Sequence, residues 1–163
     1  LNNAVAVTRR IITDLRPTIL DDLGLLAALE WQAAQFRKRT GIECQVVCIN
    51  NEDWDGALDK IQSINLFRVF QEAMTNVTRH SGASQVWVEL LHENDEISLS
   101  INDNGCGLPE GQTIAPASYG IRGMRERAEQ LGGRIKFGNR PGGGLSVTVR
   151  LPLPDDNKKG GEA

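Results

Sequence analysis

Glu96-Ile97-Ser98-Leu99-Ser100-Ile101-Asn102-Asp103-Asn104-Gly105-Cys106-Gly107-Leu108 is the stretch on which the reading of the fold turns. From Glu96 to Ile101 apolar and polar residues alternate, the period of a half-buried strand. The alternation stops at a carboxylate, Asp103, and two glycines follow one residue apart. A strand that ends in an acid and a glycine turn offers one fixed hydrogen-bond acceptor. It also lets backbone approach closely, because glycine has no Cβ. That is the form of a pocket floor. Asp-Asn-Gly is equally ordinary turn chemistry, so the rest of the chain has to decide.

Upstream, about Gln85 to His92 reads as a strand paired antiparallel with this one through the tight turn Glu93-Asn94-Asp95. Before it, helical spacing predicts a helix from about Leu58 to Arg79 whose core face is Ile61, Ile64, Phe67, Val69, Phe70, Ala73 and Val77. Asn50 to Gly56 is a polar loop. Ile42, Cys44, Val46 and Cys48 share one face of an earlier strand. The helix before that is predicted to be capped by Asp21 and Asp22, with Leu25, Leu26, Leu29, Ala33 and Phe36 inward. It closes on Arg37-Lys38-Arg39 and Gly41, positive charge at the negative end of the helix dipole. Pro17 breaks an initial helical pattern carried by Val5, Ile12 and Leu15.

Downstream of the opening stretch, Pro109 to Ser118 is a loop of small residues. A helix follows over about Gly120 to Leu131, closed by Gly132-Gly133. Strands over about Arg134 to Gly138 and Leu145 to Leu153 complete the order. In the last, Leu145, Val147, Val149 and Leu151 face one way, and Ser146, Thr148 and Arg150 the other. These elements predict an α+β two-layer sandwich, a mixed and largely antiparallel sheet with helices on one face. Residues 17–154 are expected to form the domain, 1–16 to be the end of a preceding helical region, and 155–163 to be a disordered polar tail.

Composition narrows the function classes. The 163 residues carry a net charge of −3, which offers no basic footprint for nucleic acid. No apolar run approaches the roughly 20 residues of a membrane helix, and no signal peptide is present, so a cytoplasmic location is expected. Three cysteines fit a reducing compartment. Cys44 and Cys48 read as small core residues rather than metal ligands, with no histidine or second cysteine pair nearby.

Two features carry chemistry. Glu72, Asn76 and His80 are four residues apart and stack on one helix face, with Arg79 beside them. Such a stripe can hold a hydrated divalent cation, since Mg²⁺ keeps most of its waters and takes few protein ligands. Asn76 is a suitable neutral oxygen ligand and Arg79 a suitable phosphate partner. The same stripe is what the solvated side of an amphipathic helix looks like. Gly120 and Gly123 weaken the start of the last helix by roughly 1 kcal/mol each relative to alanine. They make sense where a phosphate chain meets backbone N–H groups at a helix N-terminus, or where the helix packs closely. No G-x-x-x-x-G-K-[ST] is present, and Gly105-Cys106-Gly107 does not continue as G-x-G-x-x-G because residue 110 is Glu. A nucleotide site here is neither a P-loop nor a Rossmann site.

Glu72-Ala73-Met74-Thr75-Asn76, Asp103-Asn104-Gly105-Cys106-Gly107 and Gly120-Ile121-Arg122-Gly123-Met124-Arg125-Glu126-Arg127 resemble, in order, the N, G1 and G2 boxes of one ATPase superfamily. It joins gyrase, a heat-shock chaperone, histidine kinases and mismatch-repair proteins. The chain is most similar to sensor histidine kinases of the nitrate/nitrite-sensor type, in Gln71-Glu72-Ala73, Arg79-His80, Met124 to Ala128, Val149 to Leu153 and the lead-in Leu15-Arg16-Pro17 with Asp22-Leu23-Gly24-Leu25.

This resemblance implies ATP and Mg²⁺ as cofactors. Asp103 would accept a hydrogen bond from the adenine amino group, Asn76 would ligate Mg²⁺, and Glu72 would be the catalytic polar or basic group beside it. Arg79 and His80 would lie near the phosphates. Gly105 and Gly107 would allow close packing of base and lid, Pro109 to Ser118 would be the lid, and Gly120, Gly123 and Met124 would serve the phosphate side. The γ-phosphoryl would pass to a histidine upstream of this chain, for relay to a response regulator, in a homodimer joined through helices of which residues 1–16 are the end. Two departures stand out. Leu145 occupies a place where these domains often carry threonine, and neither His80 nor His92 has the setting of a phosphoacceptor. A non-enzymatic nucleotide-binding module, or a Ser/Thr kinase of the anti-sigma-factor kind, shares the same fold.

Overall fold

The computed structural model describes residues 18–50, 54–110 and 119–153. The expected helix end over 1–16, the break at Pro17, most of the expected lid (111–118) and the tail 155–163 lie outside the described residues.

Helix α1 (Thr18–Thr40) is two helical pieces joined at Gly24, whose φ of 84° and ψ of −179° no helix contains. Asp21 and Asp22 therefore sit within the first piece and are not the caps expected of them. Leu25, Ala28, Leu29, Ala33 and Phe36 are buried, and Leu26 is only half-buried. The C-terminus closes as the sequence implies: Gly41, at φ 73°, donates its N–H to Arg37 O at 2.9 Å. Strand β1 (Glu43–Ile49) turns Cys44, Val46 and Cys48 to the core. A one-turn helix, α2 (Trp54–Ala57), stands in what reads as a polar loop.

Helix α3 (Lys60–Asn76) starts at a capping box. Asp59 Oδ1 accepts from Gln62 N at 2.7 Å, and Gln62 Oε1 accepts from Asp59 N at 3.0 Å. This fixes the rotation of the helix and corrects the expected core face. Ile61 is 64% exposed, while Gln62, Leu66, Phe67, Val69, Phe70, Ala73 and Met74 are buried. Ile61 lies five residues before Leu66, off the 3.6-residue stripe on which Gln62 falls. Gln62 Nε2 meets Pro152 O at 3.3 Å, which satisfies a buried amide. Beyond Asn76 the helix widens into a single π turn, Val77–Ser81, ended by Gly82 at φ 61°.

Strands β2 (Gln85–Glu93), β3 (Glu96–Asp103), β4 (Arg134–Asn139) and β5 (Leu145–Pro152) join β1 in one sheet of order β1-β2-β3-β5-β4. Only β1 and β2 are parallel, and α2 and α3 supply the crossover that a parallel pair requires. The β2–β3 hairpin closes on Asn94 and Asp95, at φ 51° and 60°, the left-handed pair of a type I′ turn. Val86, Val88 and Leu90, then Ile97, Leu99 and Ile101, then Val147, Val149 and Leu151 form the buried face of the sheet. Helices α1, α3 and α4 (Tyr119–Gln130) pack on it. The opposite face carries Ser98, Ser100, Asn102, Ser146 and Thr148, with Ser100 and Thr148 hydroxyls 3.1 Å apart. This is the two-layer α+β sandwich that the sequence predicts.

Candidate nucleotide site

β3 places its last residue on the buried face. Ile97, Leu99, Ile101 and Asp103 alternate inward, and Asp103 is 4% exposed, a carboxylate among aliphatic side chains. Burial of a carboxylate requires hydrogen bonds. Asp103 Oδ1 accepts from Gly105 N at 2.8 Å and meets Leu145 N at 3.4 Å, the long limit for such a bond. Oδ2 accepts nothing from any described residue.

The carboxylate lines a cavity of about 230 Å³ at the end of the sheet. Asn76, His80 and Ser81 come from α3 and the π turn, Gly107 and Leu108 from the segment after β3, and Leu145 and Val147 from β5. The volume is below the roughly 300–1,000 Å³ of whole small-molecule sites. It suits a flat ring more than an extended ligand. Among the described residues the Asn76 side-chain amide makes no hydrogen bond. A larger cleft of about 500 Å³, between the start of α1 and that of α3 at Asp21, Gly24 and Lys60, contains none of the candidate residues.

The sequence-predicted residues divide. Asn76, His80, Asp103 and Gly107 meet in one cavity. The π turn brings both Val77 and Ser81 to the same wall as Asn76 and His80, so the stripe is not a simple four-residue ladder. π turns inside helices recur at functional sites, and no residue pattern in the sequence announces this one. Glu72 lies outside the cavity, against the start of α4, where a Cβ on Gly120 would overlap its carboxylate. Arg79 is exposed and does not line the cavity. A Cβ on Gly105 would overlap Ser81 O, so Gly105 permits the exit of β3 to lie against the π turn, where Cys106 N donates to Ser81 O at 2.8 Å. Gly123 faces only the guanidinium of Arg127. Met124 is 0% exposed, so its side chain belongs to the core and only its backbone is available to a ligand. Leu145, where a threonine hydroxyl is often found, contributes an apolar wall and its backbone N–H.

Asn139 and Arg140 escape the sequence reading. Asn139 Nδ2 donates to Leu108 O at 2.8 Å, and its Oδ1 accepts from Leu108 N at 2.7 Å. Arg140 donates to Asp103 O at 2.9 Å, with its guanidinium 4.7 Å from the ring centre of Trp87. Among the described residues no three of His, Cys, Asp and Glu converge on a metal site. No described helix is long and apolar enough to cross a membrane.

Residues 61–155, which contain every element of this cavity, match the family described as histidine kinase-, DNA gyrase B-, and HSP90-like ATPase. The chain belongs to this ATPase family. Among curated relatives, the sensor histidine kinase MctS of Rhizobium johnstonii is 37% identical over 158 residues, covering 93% of this chain and 32% of that protein. The sensor histidine kinase LiaS of Bacillus subtilis is 36% identical over 92% of this chain and 40% of its own length. The chain thus spans 32% and 40% of the length of these two relatives. The ATP binding domain of PrrB from Mycobacterium tuberculosis shares the fold at a TM-score of 0.63 and 24% identity, over 80% of this chain and 94% of that one.

Proposed function

We propose that this domain is the catalytic part of a sensor histidine kinase, which binds ATP with Mg²⁺ and supplies the γ-phosphoryl to a histidine upstream. The observation that carries the reading is the Asp103 carboxylate, buried at the cavity with Oδ2 unpartnered among the described residues. A buried acceptor of that kind is satisfied by an incoming N–H donor. The adenine amino group is such a donor, whereas guanine would place a carbonyl oxygen there, against negative charge. A hydrogen bond to a charged group contributes about 1.5–3 kcal/mol, so ATP is bound in preference to GTP.

The chain's residues fit the implied metal as a shared ligand set. Asn76 offers one neutral oxygen at the cavity wall and would hold the ion together with phosphate oxygens and water. Mg²⁺ when bound neutralises phosphate charge. His80 lies beside Asn76, Arg79 is exposed on the same turn and free to reach an anion, and Glu72 borders the start of α4 as the polar or basic group. Gly107 admits the segment that leads to the lid. Gly120 and Gly123 serve the phosphate side through their backbone at the start of α4, where Glu72 and Arg127 take the space their side chains would fill. Phosphoryl transfer needs positioning and charge neutralisation more than a covalent nucleophile, and this site offers both.

The names of the relatives support the same assignment: MctS and LiaS are sensor histidine kinases. Relay to a response regulator, dimerisation through upstream helices and a cytoplasmic location for this domain follow from it. The nitrate/nitrite-sensor type rests on Met124 to Ala128 and Val149 to Leu153. The test is to extend the chain upstream through the acceptor helix and incubate it with γ-labelled ATP. Label is expected on histidine, and lost when that histidine is changed to glutamine. Label that persists in the glutamine variant, or none in the parent, contradicts the proposal.

A further inference from the structure

The turn between β4 and β5 touches the candidate site at two points without lining it. Asn139 ends β4 and presents its side-chain amide to the backbone of Leu108, donating to the carbonyl at 2.8 Å and accepting from the N–H at 2.7 Å. That pairing is the one a neighbouring strand would make, supplied by a side chain where no strand is present. Gly107 is shaped to permit it: at φ +66°, its Cβ would come within 2.7 Å of Asn139 Oδ1. Arg140 does the same for the other end of the segment, donating to Asp103 O at 2.9 Å while stacked on Trp87. The turn itself is closed by Arg140 N on Gly144 O at 2.9 Å and Gly143 N on Arg140 O at 3.1 Å. Gly144 presses against Asp103 O so closely that no Cβ fits.

Asp103 and Leu108 are the two ends of the segment that forms one wall of the cavity, and both line it. The chain leaves the sheet after Asp103, five residues before Leu108. The first half of the segment is tied to β2 and the π turn, by Asn104 N on Gln85 O at 3.2 Å and Cys106 N on Ser81 O at 2.8 Å, which leaves the Gly107-Leu108 end to the Asn139 amide. We infer that Asn139 is a positioning residue of the nucleotide site: its amide, braced by the Arg140 turn, fixes the Leu108 wall of the cavity.

This inference rests on the proposed nucleotide site. It is tested on the 163-residue chain by two readouts, amide hydrogen exchange and affinity for ATP and for adenosine, in Asn139→Ala and Asn139→Asp. The aspartate keeps the shape and the acceptor but loses the donor to Leu108 O. In Asn139→Ala the Leu108 amide is expected to lose its protection, while those of Leu99 and Ile101 in the sheet keep theirs. ATP and adenosine should weaken together by about tenfold, equivalent to roughly 1.4 kcal/mol. Asn139→Asp should fall between the alanine variant and the parent. A general loss of structure would instead expose the sheet amides, so retained sheet protection separates positioning from folding. Unchanged exchange at Leu108, a freed Leu108 with undiminished affinity, or loss of sheet protection together with binding overturns the inference. Failure of the parent chain to bind ATP or adenosine overturns the proposed site, and the inference with it.

Discussion

A methyl group on Gly120 would overlap the carboxylate of Glu72, the free end of a side chain that can swing away. On Gly105 it would overlap the backbone carbonyl of Ser81, which cannot. The two substitutions therefore fail differently. Gly120→Ala should leave stability within about 1 kcal/mol of the parent, because alanine favours the helix by about that amount. It should also displace Glu72 and lower phosphotransfer in the extended chain. Gly105→Ala should cost about 1–3 kcal/mol, the range for overpacking, read as a lower urea midpoint. The cysteines give a third contrast. Burial pushes the Cys44 thiol from its ordinary value of 9.0 up to about 11, while Cys106 is exposed beside the cavity. Alkylation of the folded chain at pH 8 should modify Cys106 and spare Cys44. The raised value also sets a sign. An unfolded chain ionises Cys44 first, so its contribution is complete below pH 9 and declines as pH rises toward 11. Cys44→Ala should flatten that alkaline decline in the urea midpoint.

The elements differ in how far their sequences announce them. β3 runs from Glu96 to Asp103, as its alternation predicts, because the inward positions Ile97, Leu99 and Ile101 are aliphatic and the outward ones polar up to the buried acid Asp103. The inward cysteines of β1 and the glycine end of α1 follow equally local rules. The rotation of α3 does not. Ile61 is as apolar as Leu66, and only the Asp59–Gln62 capping box and the reach of Gln62 to Pro152, far along the chain, turn it outward. The break at Gly24 and the π turn at Val77–Ser81 likewise fall outside what helical spacing predicts. Two variants measure the balance. Asp59→Ala removes the cap and should cost about 1 kcal/mol. Phe70→Ala opens a cavity where the ring is 0% exposed and should cost about 3–5 kcal/mol. Both are readable by urea denaturation, and a larger loss for Asp59→Ala than for Phe70→Ala would contradict this account of α3.

At the scale of the whole molecule, the sheet order β1-β2-β3-β5-β4 brings distant segments to one end of the sandwich. Asn76, Asp103 and Leu145 are adjacent there because α3 crosses the sheet and β5 inserts beside β3. The residue types at Asp103, Asn76 and the paired glycines were legible from the chain, since acid, amide and glycine each have few structural uses. Their convergence was legible only through resemblance. The service of Asn139 and Arg140 was not legible at all, because a side chain that imitates a strand neighbour depends on three-dimensional register. Met124 shows the opposite limit: a residue expected at the binding site from resemblance, whose side chain serves the core. What unifies the molecule is a buried carboxylate held by the backbone on one oxygen and without a partner among the described residues on the other. The direct measurement is titration calorimetry of the chain with ATP and with GTP in the presence of Mg²⁺, repeated for Asp103→Asn. ATP is predicted to bind at least about tenfold more tightly than GTP, the step given by 1.4 kcal/mol. Asp103→Asn is predicted to abolish that preference while the circular dichroism spectrum stays unchanged. Equal affinity for ATP and GTP, or full ATP preference in a folded Asp103→Asn chain, would contradict the account.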